Sequence, residues 1–241
     1  MSEPGTTGAN TGPSGTGGPV EAVLFDLDDT ICKYRRSIDE LVEHSFDAVG
    51  VEPFFTAAEY RERFGEYVHE YDDVDEIRER SFVSLAEEAG RGPDLAREMA
   101  AAYAAERRDQ ADVEFLPGAR EAVETLCERY RAGLVTNGAP DMQSEKLRSL
   151  GIEGHFETVV HAGHETPAKP DPEPFEAAME ALGVSAERAV KVGNSLSTDV
   201  AGAHAAGVRS VWLEQDGVEV VDPEPHYRIT RMDELLDEPW A

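Results

Sequence analysis

The sequence predicts an α/β fold: a doubly wound parallel sheet with a helical unit inserted after its first strand. Three observations carry this. Residues 22–25, 132–136 and 189–193 are largely apolar without a two-residue alternation, as strands covered on both faces of a parallel sheet are. From residue 119 onward such runs alternate with helix-spaced segments, the rhythm of a sheet flanked by helices. Between 37 and 108 every apolar pattern is helical, so this stretch interrupts the sheet and reads as a small bundle.

In chain order, residues 1–19 carry almost no bulky apolar side chain and are expected to be a disordered tail. Residues 20–27 form the first strand. Ile38, Leu41, Val42, Ser45, Phe46 and Val49 follow helix spacing and stop at Gly50. A second helix runs from Thr56, a candidate N-cap, through Phe64 and Val68. A third carries Val74, Ile77, Phe82, Leu85 and Ala89, and a fourth begins after Gly92-Pro93 with Leu95, Met99, Ala102 and Tyr103. After Leu116-Pro117-Gly118, a helix marked by Ala119, Ala122, Val123, Leu126 and Tyr130 leads to a strand at 132–136. Helices at 141–150, 175–182 and 198–206, each stopped by a glycine, alternate with strands at 156–160, 189–193 and 208–213. A short strand at 227–230 and a helical turn at 232–236 close the chain. The expected domains are the tail 1–19, a sheet domain of 20–33 with 113–241, and a helical domain of 34–112.

Charge narrows the surroundings. Fifty acidic residues face 22 basic ones, a net charge of -28, and such a surface repels nucleic acid and anionic membranes. Lysine is scarce: Lys33, Lys146, Lys169 and Lys191 are the four, and every other basic residue is arginine. In molar salt, where the Debye length is about 3 Å, the self-repulsion is largely screened. The composition therefore reads as that of a protein adapted to a high-salt cytoplasm. The N-terminus shows no basic start or apolar segment, so no secretory signal is expected. No apolar run approaches a membrane span. Two cysteines, Cys32 and Cys127, do not make a disulfide framework.

In a parallel sheet the strands end on one edge, where α/β folds place their ligands. Four polar clusters follow strands here: Asp26 and Asp28; Thr136-Asn137-Gly138; Lys169-Pro170-Asp171-Pro172; and 193–199, with Asn194 and Asp199. Their convergence suits phosphoryl transfer. A carboxylate serves as nucleophile, and a second exchanges protons with the leaving group. A hydroxyl, backbone N–H groups and a lysine hold phosphate oxygens, and Mg²⁺ relieves the crowding of negative charge. Taken singly, Thr136 reads as a strand-end hydroxyl, Asp171 as a turn residue and Asp199 as a helix-start acid favoured by the dipole.

The order and spacing of the four clusters resemble the motifs of the haloacid dehalogenase superfamily, whose members are mostly phosphatases. The resemblance covers residues 22–236. It implies a Rossmann-like core with an inserted α-helical cap that opens and closes over the site. It also implies roles. Asp26 attacks phosphorus and becomes an aspartyl-phosphate; Asp28 protonates the leaving oxygen and then activates water. Thr136 and the Asn137 backbone hold the phosphate, and Lys169 neutralises Asp26 and phosphate. Mg²⁺ is bound by Asp26, by the Asp28 carbonyl and by the fourth-motif residues Asn194 and Asp199, the latter orienting Lys169 or a metal-bound water.

One departure bears on the metal. The family's phosphatases usually place Asp where Asn194 stands. Asn keeps a carbonyl oxygen but removes a charge. Two alternatives follow, a metal-independent 2-haloacid dehalogenase-like hydrolase and a weakly catalytic phospho-ligand-binding protein. Asp28 favours the phosphatase, since dehalogenases of this type generally lack an acid there. A phosphosugar mutase shares the aspartyl-phosphate step. A Schiff-base reaction is set aside, because no lysine lies between Tyr34 and Asp112. The expected partner is a small phosphorylated metabolite. His161 and His164 read as surface histidines, His69 with Tyr67 and Tyr71 as helix packing, and Arg35 or Arg36 as a contact for an anionic part of the substrate.

Overall fold

The computed structural model describes residues 18–67, 71, 73–107, 112–215, 217 and 223–241. Residues 1–17 of the expected tail, with Val68 and His69, lie outside them. Two compact units form: one from the chain up to Lys33 with Val113–Ala241, the other from Tyr34–Asp112.

The first unit holds a six-stranded sheet in which every pairing is parallel. Its central strand is β1 (Ala22–Phe25), flanked by β4 (Arg131–Thr136) and β6 (Ala189–Gly193). Beyond β4 lies β5 (Thr158–His161); beyond β6 lie β7 (Arg209–Leu213) and β8 (Tyr227–Ile229). All four residues of β1 are buried, Leu24 pairing with Gly133 on one side and Lys191 on the other. Because side chains on both faces of β1 are buried, the run shows no alternation. The chain fills one side of β1 before crossing to the other, so the end of β1 is a topological switch point.

The helices α5 (Ala119–Arg129), α6 (Pro140–Leu150), α7 (Glu173–Leu182) and α8 (Ala201–Ala205) cover the sheet. Phe175, Ala178, Met179 and Leu182 of α7 pack with Leu24, Val135, Val208 and Ala203 in one core. Gly202 permits the closeness of α8, because a Cβ there would stand 2.4 Å from the Phe175 ring. The Gly18 carbonyl accepts from Arg209 at 3.2 Å, so the described end of the expected tail is anchored.

The second unit contains α1 (Ile38–Val49), α2 (Ala57–Tyr67), α3 (Val74–Glu88) and α4 (Pro93–Arg107). Its core is Leu41, Val42, Phe46, Phe55, Tyr60, Phe82, Leu85, Met99 and Tyr103. Ser37 and Glu40 form a capping box on α1, and Thr56 and Glu59 exchange the same bonds before α2. Gly50 ends α1 in the left-handed conformation. Arg35 pairs with Asp112 and Arg36 with Glu106, both within this unit.

Several boundaries differ from expectation. Two short strands, β2 (Cys32–Tyr34) and β3 (Val113–Phe115), pair in a separate sheet that the sequence did not announce. At three residues each they offer no period to read. The expected helix over 198–206 begins instead as one π turn, Leu196–Val200, and continues as α8.

On α8 and β7, away from the motifs, His204 Nε2 lies 3.0 Å from His226 Nδ1 and 2.9 Å from the Ser210 hydroxyl. Burial, reinforced by the nearby His204 and Arg209, holds His226 below the ordinary histidine range. The unfolded chain therefore binds a proton here that the fold resists. Stability from this site is present near neutral pH and is lost as pH falls from about 6.5 toward the lowered folded value. His226→Gln is expected to flatten the slope of melting temperature between pH 7 and 5. An unchanged slope would remove His226 from the acid sensitivity.

Candidate active site

The end of β1 turns sharply. Asp26 N–H still bonds the Val192 carbonyl at 2.9 Å, as a strand residue would. The Leu27 carbonyl then accepts from Ile31 and Cys32 at 2.9 and 3.1 Å, and Asp29 adopts φ 55°. Leu27 drops into the core while Asp26 and Asp28 line a cleft of about 310 Å³ with Thr136, Asn137, Gly138, Lys169, Asn194, Ser195, Thr198 and Asp199. All seven sequence-predicted site residues thus meet in one place. A larger cleft of about 630 Å³ sits on the helical unit, lined mostly by charged surface residues; the converging chemistry is in the smaller one.

Lys169 is the hub. Its Nζ donates to Asp26 Oδ1 and Asp199 Oδ1, both at 2.7 Å, and to the Val135 carbonyl at 3.0 Å. Three donors meet three acceptors. Burial opposes the lysine's charge, but Asp26 and Asp199 more than offset it and hold Lys169 above the usual lysine range. Burial and repulsion from Asp199 push Asp26 upward, against the pull of Lys169 and Lys191. Burial likewise works against ionising Asp199, yet Lys191 and Lys169 overcome it and keep this carboxyl low.

The π turn aims Asp199 at this hub. Both Asp199 and Val200 N–H groups bond the Ser195 carbonyl, at 3.0 and 3.1 Å, widening the turn. Asp199 Oδ2 then accepts from Ser195 N–H at 3.2 Å. Both oxygens of Asp199 are engaged within the protein. Of the two expected roles, orienting Lys169 is the one this geometry favours over contact with a metal. Gly193 is needed for the fit, since a Cβ there would stand 2.3 Å from Asp199 Cγ.

Asn137 has a role the sequence did not suggest. Its side chain accepts from Lys169 N–H at 2.9 Å and donates to the Lys169 carbonyl at 3.3 Å, tying the third motif's loop to the second. Thr136 Oγ1 accepts from Gly138 N–H at 3.2 Å and from Gln143 Nε2 at 2.9 Å. With both lone pairs taken, its hydrogen is the part left to donate. Asp171 accepts from Glu173 N–H at 3.1 Å and caps the turn before α7. His161 is not a surface residue: it ends β5 nearly buried, with Nδ1 3.4 Å from the Gly138 carbonyl. His164 is exposed. Burial and the nearby Asp28 push the Cys32 thiol up to about 12, so it is no ready nucleophile.

A hard cation fits the donor set. The Thr30 hydroxyl lies 3.4 Å from Asp26 Oδ2 and 3.3 Å from Asn194 Oδ1, which keeps a carboxylate oxygen and an amide oxygen close together. Trp212 Nε1 fixes the Asn194 backbone by donating to its carbonyl at 2.8 Å. Among the described residues no group of three or more His, Cys, Asp or Glu is arranged to hold a metal. The donors the family resemblance supplies, the Asp26 carboxylate, the Asn194 amide oxygen and the Asp28 carbonyl, are all oxygen and chemically suited to a hydrated Mg²⁺.

Sequence reasoning missed three residues. Lys191, within β6 and fully buried, places Nζ 3.2 Å from Asp199 Oδ1 and 3.1 Å from the Val135 carbonyl. Burial, then repulsion from Lys169, pushes it down to about 8. Lys146 Nζ sits 2.6 Å from Asp28 Oδ1, and Gln143 Nε2 sits 2.8 Å from Asp28 Oδ2. The scarcity of lysine that singled out Lys169 applied equally to Lys146 and Lys191. Three ammoniums now match three carboxylates, Asp26, Asp28 and Asp199. The fourth lysine, Lys33, faces Glu114 at the surface.

Comparison with known proteins agrees. The sequence profile of the haloacid dehalogenase-like hydrolases matches residues 20–207. Phosphoserine phosphatase of Thermus thermophilus is 42% identical over 66% of this chain and 64% of its own length. The chain thus spans just under two thirds of that relative. Glyceraldehyde 3-phosphate phosphatase of Methanopyrus kandleri is 31% identical over 90% of this chain and 96% of its own. The Bacillus subtilis putative hydrolase YfnB, solved bound to magnesium, superposes with a TM-score of 0.74, covering 93% of this chain and all of that one. At 24% identity this last likeness shows the fold alone.

Proposed function

The chain belongs to the haloacid dehalogenase-like hydrolases, and from that premise we propose that it is a Mg²⁺-dependent phosphatase working through an aspartyl-phosphate on Asp26. The observation that carries this is the pairing of Asp26 with Lys169 at 2.7 Å beside a second, half-exposed carboxylate, Asp28, on the same cleft. A nucleophile and a proton carrier are both present. A haloacid route has no use for the second.

One oxygen of the Asp26 carboxylate attacks phosphorus as the bond to the leaving oxygen breaks, and Asp28 supplies the proton the leaving oxygen needs. Asp28 then takes a proton from water, whose oxygen attacks the same phosphorus. Inorganic phosphate departs and Asp26 is regenerated. The Thr136 hydroxyl and Asn137 N–H hold equatorial phosphate oxygens. Lys169 favours the ionised form of Asp26 against burial and Asp199, and Asp199 holds Lys169 in place. Mg²⁺, held by Asp26, Asn194 and the Asp28 carbonyl, supplies charge neutralisation for the phosphate.

The relatives are named for phosphoserine and glyceraldehyde 3-phosphate, both three-carbon monoesters, so short alkyl phosphates are the first metabolites to test. A high-salt cytoplasm is part of the same reading. Its support is the net charge of -28 and the withdrawal of three of four lysines into the core. Hydrolysis of 4-nitrophenyl phosphate in molar KCl, with Mg²⁺ and with chelator, tests the proposal. Release that needs Mg²⁺ supports it; no release under either condition overturns it.

Asn194→Asp is expected to tighten Mg²⁺ binding by about tenfold, since it restores one negative charge to the donor set. Calorimetric titration of Mg²⁺ in molar KCl measures this. Equal affinity in both proteins would place Asn194 outside the metal's reach.

A further inference from the structure

Asp28 is held from below by one helix. Gln143 and Lys146 stand three residues apart on α6, on one face. They reach both oxygens of the same carboxylate, at 2.8 and 2.6 Å. Both are almost wholly buried, at 0% and 2%, whereas the Asp28 side chain is 41% exposed. Neither is a choice that stability favours. A buried ammonium facing a half-solvated partner is a poor substitute for an apolar side chain. Gln143 Oε1 is buried with no hydrogen-bond partner among the described residues. The amide hydrogens are instead both used, one on Asp28 and one on Thr136 Oγ1 at 2.9 Å. Turning the amide over would set its oxygen against the carboxylate. Gly138 makes room for this, because a Cβ there would fall 1.6 Å from Gln143 Nε2.

We propose that Gln143 and Lys146 are positioning residues that fix the Asp28 carboxylate for proton transfer and couple it, through one amide, to the phosphate-holding Thr136. This rests on the phosphatase reading. Each carboxylate oxygen accepts one bond from α6 and keeps a lone pair for the moving proton. During the first step the P–O bond to Asp26 forms, the P–O bond to the leaving group breaks, and the Asp28 proton passes to the departing oxygen. A misplaced Asp28 penalises poor leaving groups most, because good ones depart without help.

The test compares phenyl phosphate with 4-nitrophenyl phosphate, two esters of one shape that differ in leaving ability, using kcat/KM to isolate the first step. Lys146→Met is expected to lower kcat/KM about 30-fold on phenyl phosphate and about threefold on 4-nitrophenyl phosphate. Gln143→Leu is expected to show the same pattern at about tenfold and twofold. In an Asp28→Asn background either change is expected to cost less than about twofold on both esters, the non-additivity of residues acting through one group. Equal losses on the two esters, no loss, or the same loss with and without Asp28 would overturn the clamp while leaving the phosphatase reading intact. Absence of turnover of both esters by the unmodified protein would overturn the two together.

Discussion

Asp26→Asn is expected to lower turnover of 4-nitrophenyl phosphate at least about 10⁴-fold, the scale on which loss of an enzyme's nucleophile is felt. The fold should survive. Asparagine keeps the shape and an oxygen that still accepts from Lys169 Nζ, now 2.7 Å from Asp26 Oδ1. Stability is expected to hold or rise. Burial and Asp199 push the Asp26 carboxyl upward, so its favourable proton-linked contribution belongs to acid pH and is lost as pH rises through the folded value. At neutral pH the ionised form is therefore a burden that the amide removes. Initial rates paired with a calorimetric melt separate the two effects. Retention of more than about 1% of the rate, far above the loss expected for a missing nucleophile, would show that water attacks the phosphate directly.

Lys169→Met carries the largest expected loss of stability, about 3–5 kcal/mol. Lys169 is 5% exposed and bridges two carboxylates that are 6% and 1% exposed. Without it, Asp26 and Asp199 face each other across a space served by Lys191 alone. Removing one partner leaves the others' desolvation uncompensated. The double change Lys169→Met with Asp199→Asn is expected to recover part of the loss, because it deletes one of the stranded charges. Urea midpoints at neutral pH measure both. A single variant as stable as the unmodified protein would mean the three groups are not charged together in the fold.

The sheet was legible because burial on both faces writes itself into sequence: β1 is apolar at every position, and α1, α6 and α7 stop at Gly50, Gly151 and Gly183, each in the left-handed conformation. The catalytic edge was legible because parallel strands must deliver their C-terminal residues together. Less visible was anything depending on where a helix face lands. Gln143 and Lys146 sit in an amphipathic pattern that reads only as α6, and nothing local says that this face meets Asp28. The π turn is invisible for a related reason: its sequence, Leu196–Val200, suits an ordinary helix, and the partners that Asp199 meets there, Lys169 and Lys191, come from distant parts of the chain. His161 reads as a surface residue because the apolar run stops at Val160, whereas β5 continues one position further.

The burial of Lys146, Lys169 and Lys191 has a practical consequence. An amine-selective acylating reagent meets a protein whose folded surface offers one lysine, Lys33, its side chain 53% exposed. The three shielded amines become reactive only when the catalytic core opens. The acylated mass of the intact chain therefore counts open cores directly. A population with one modified lysine side chain is folded around its site, and a population with four has lost it.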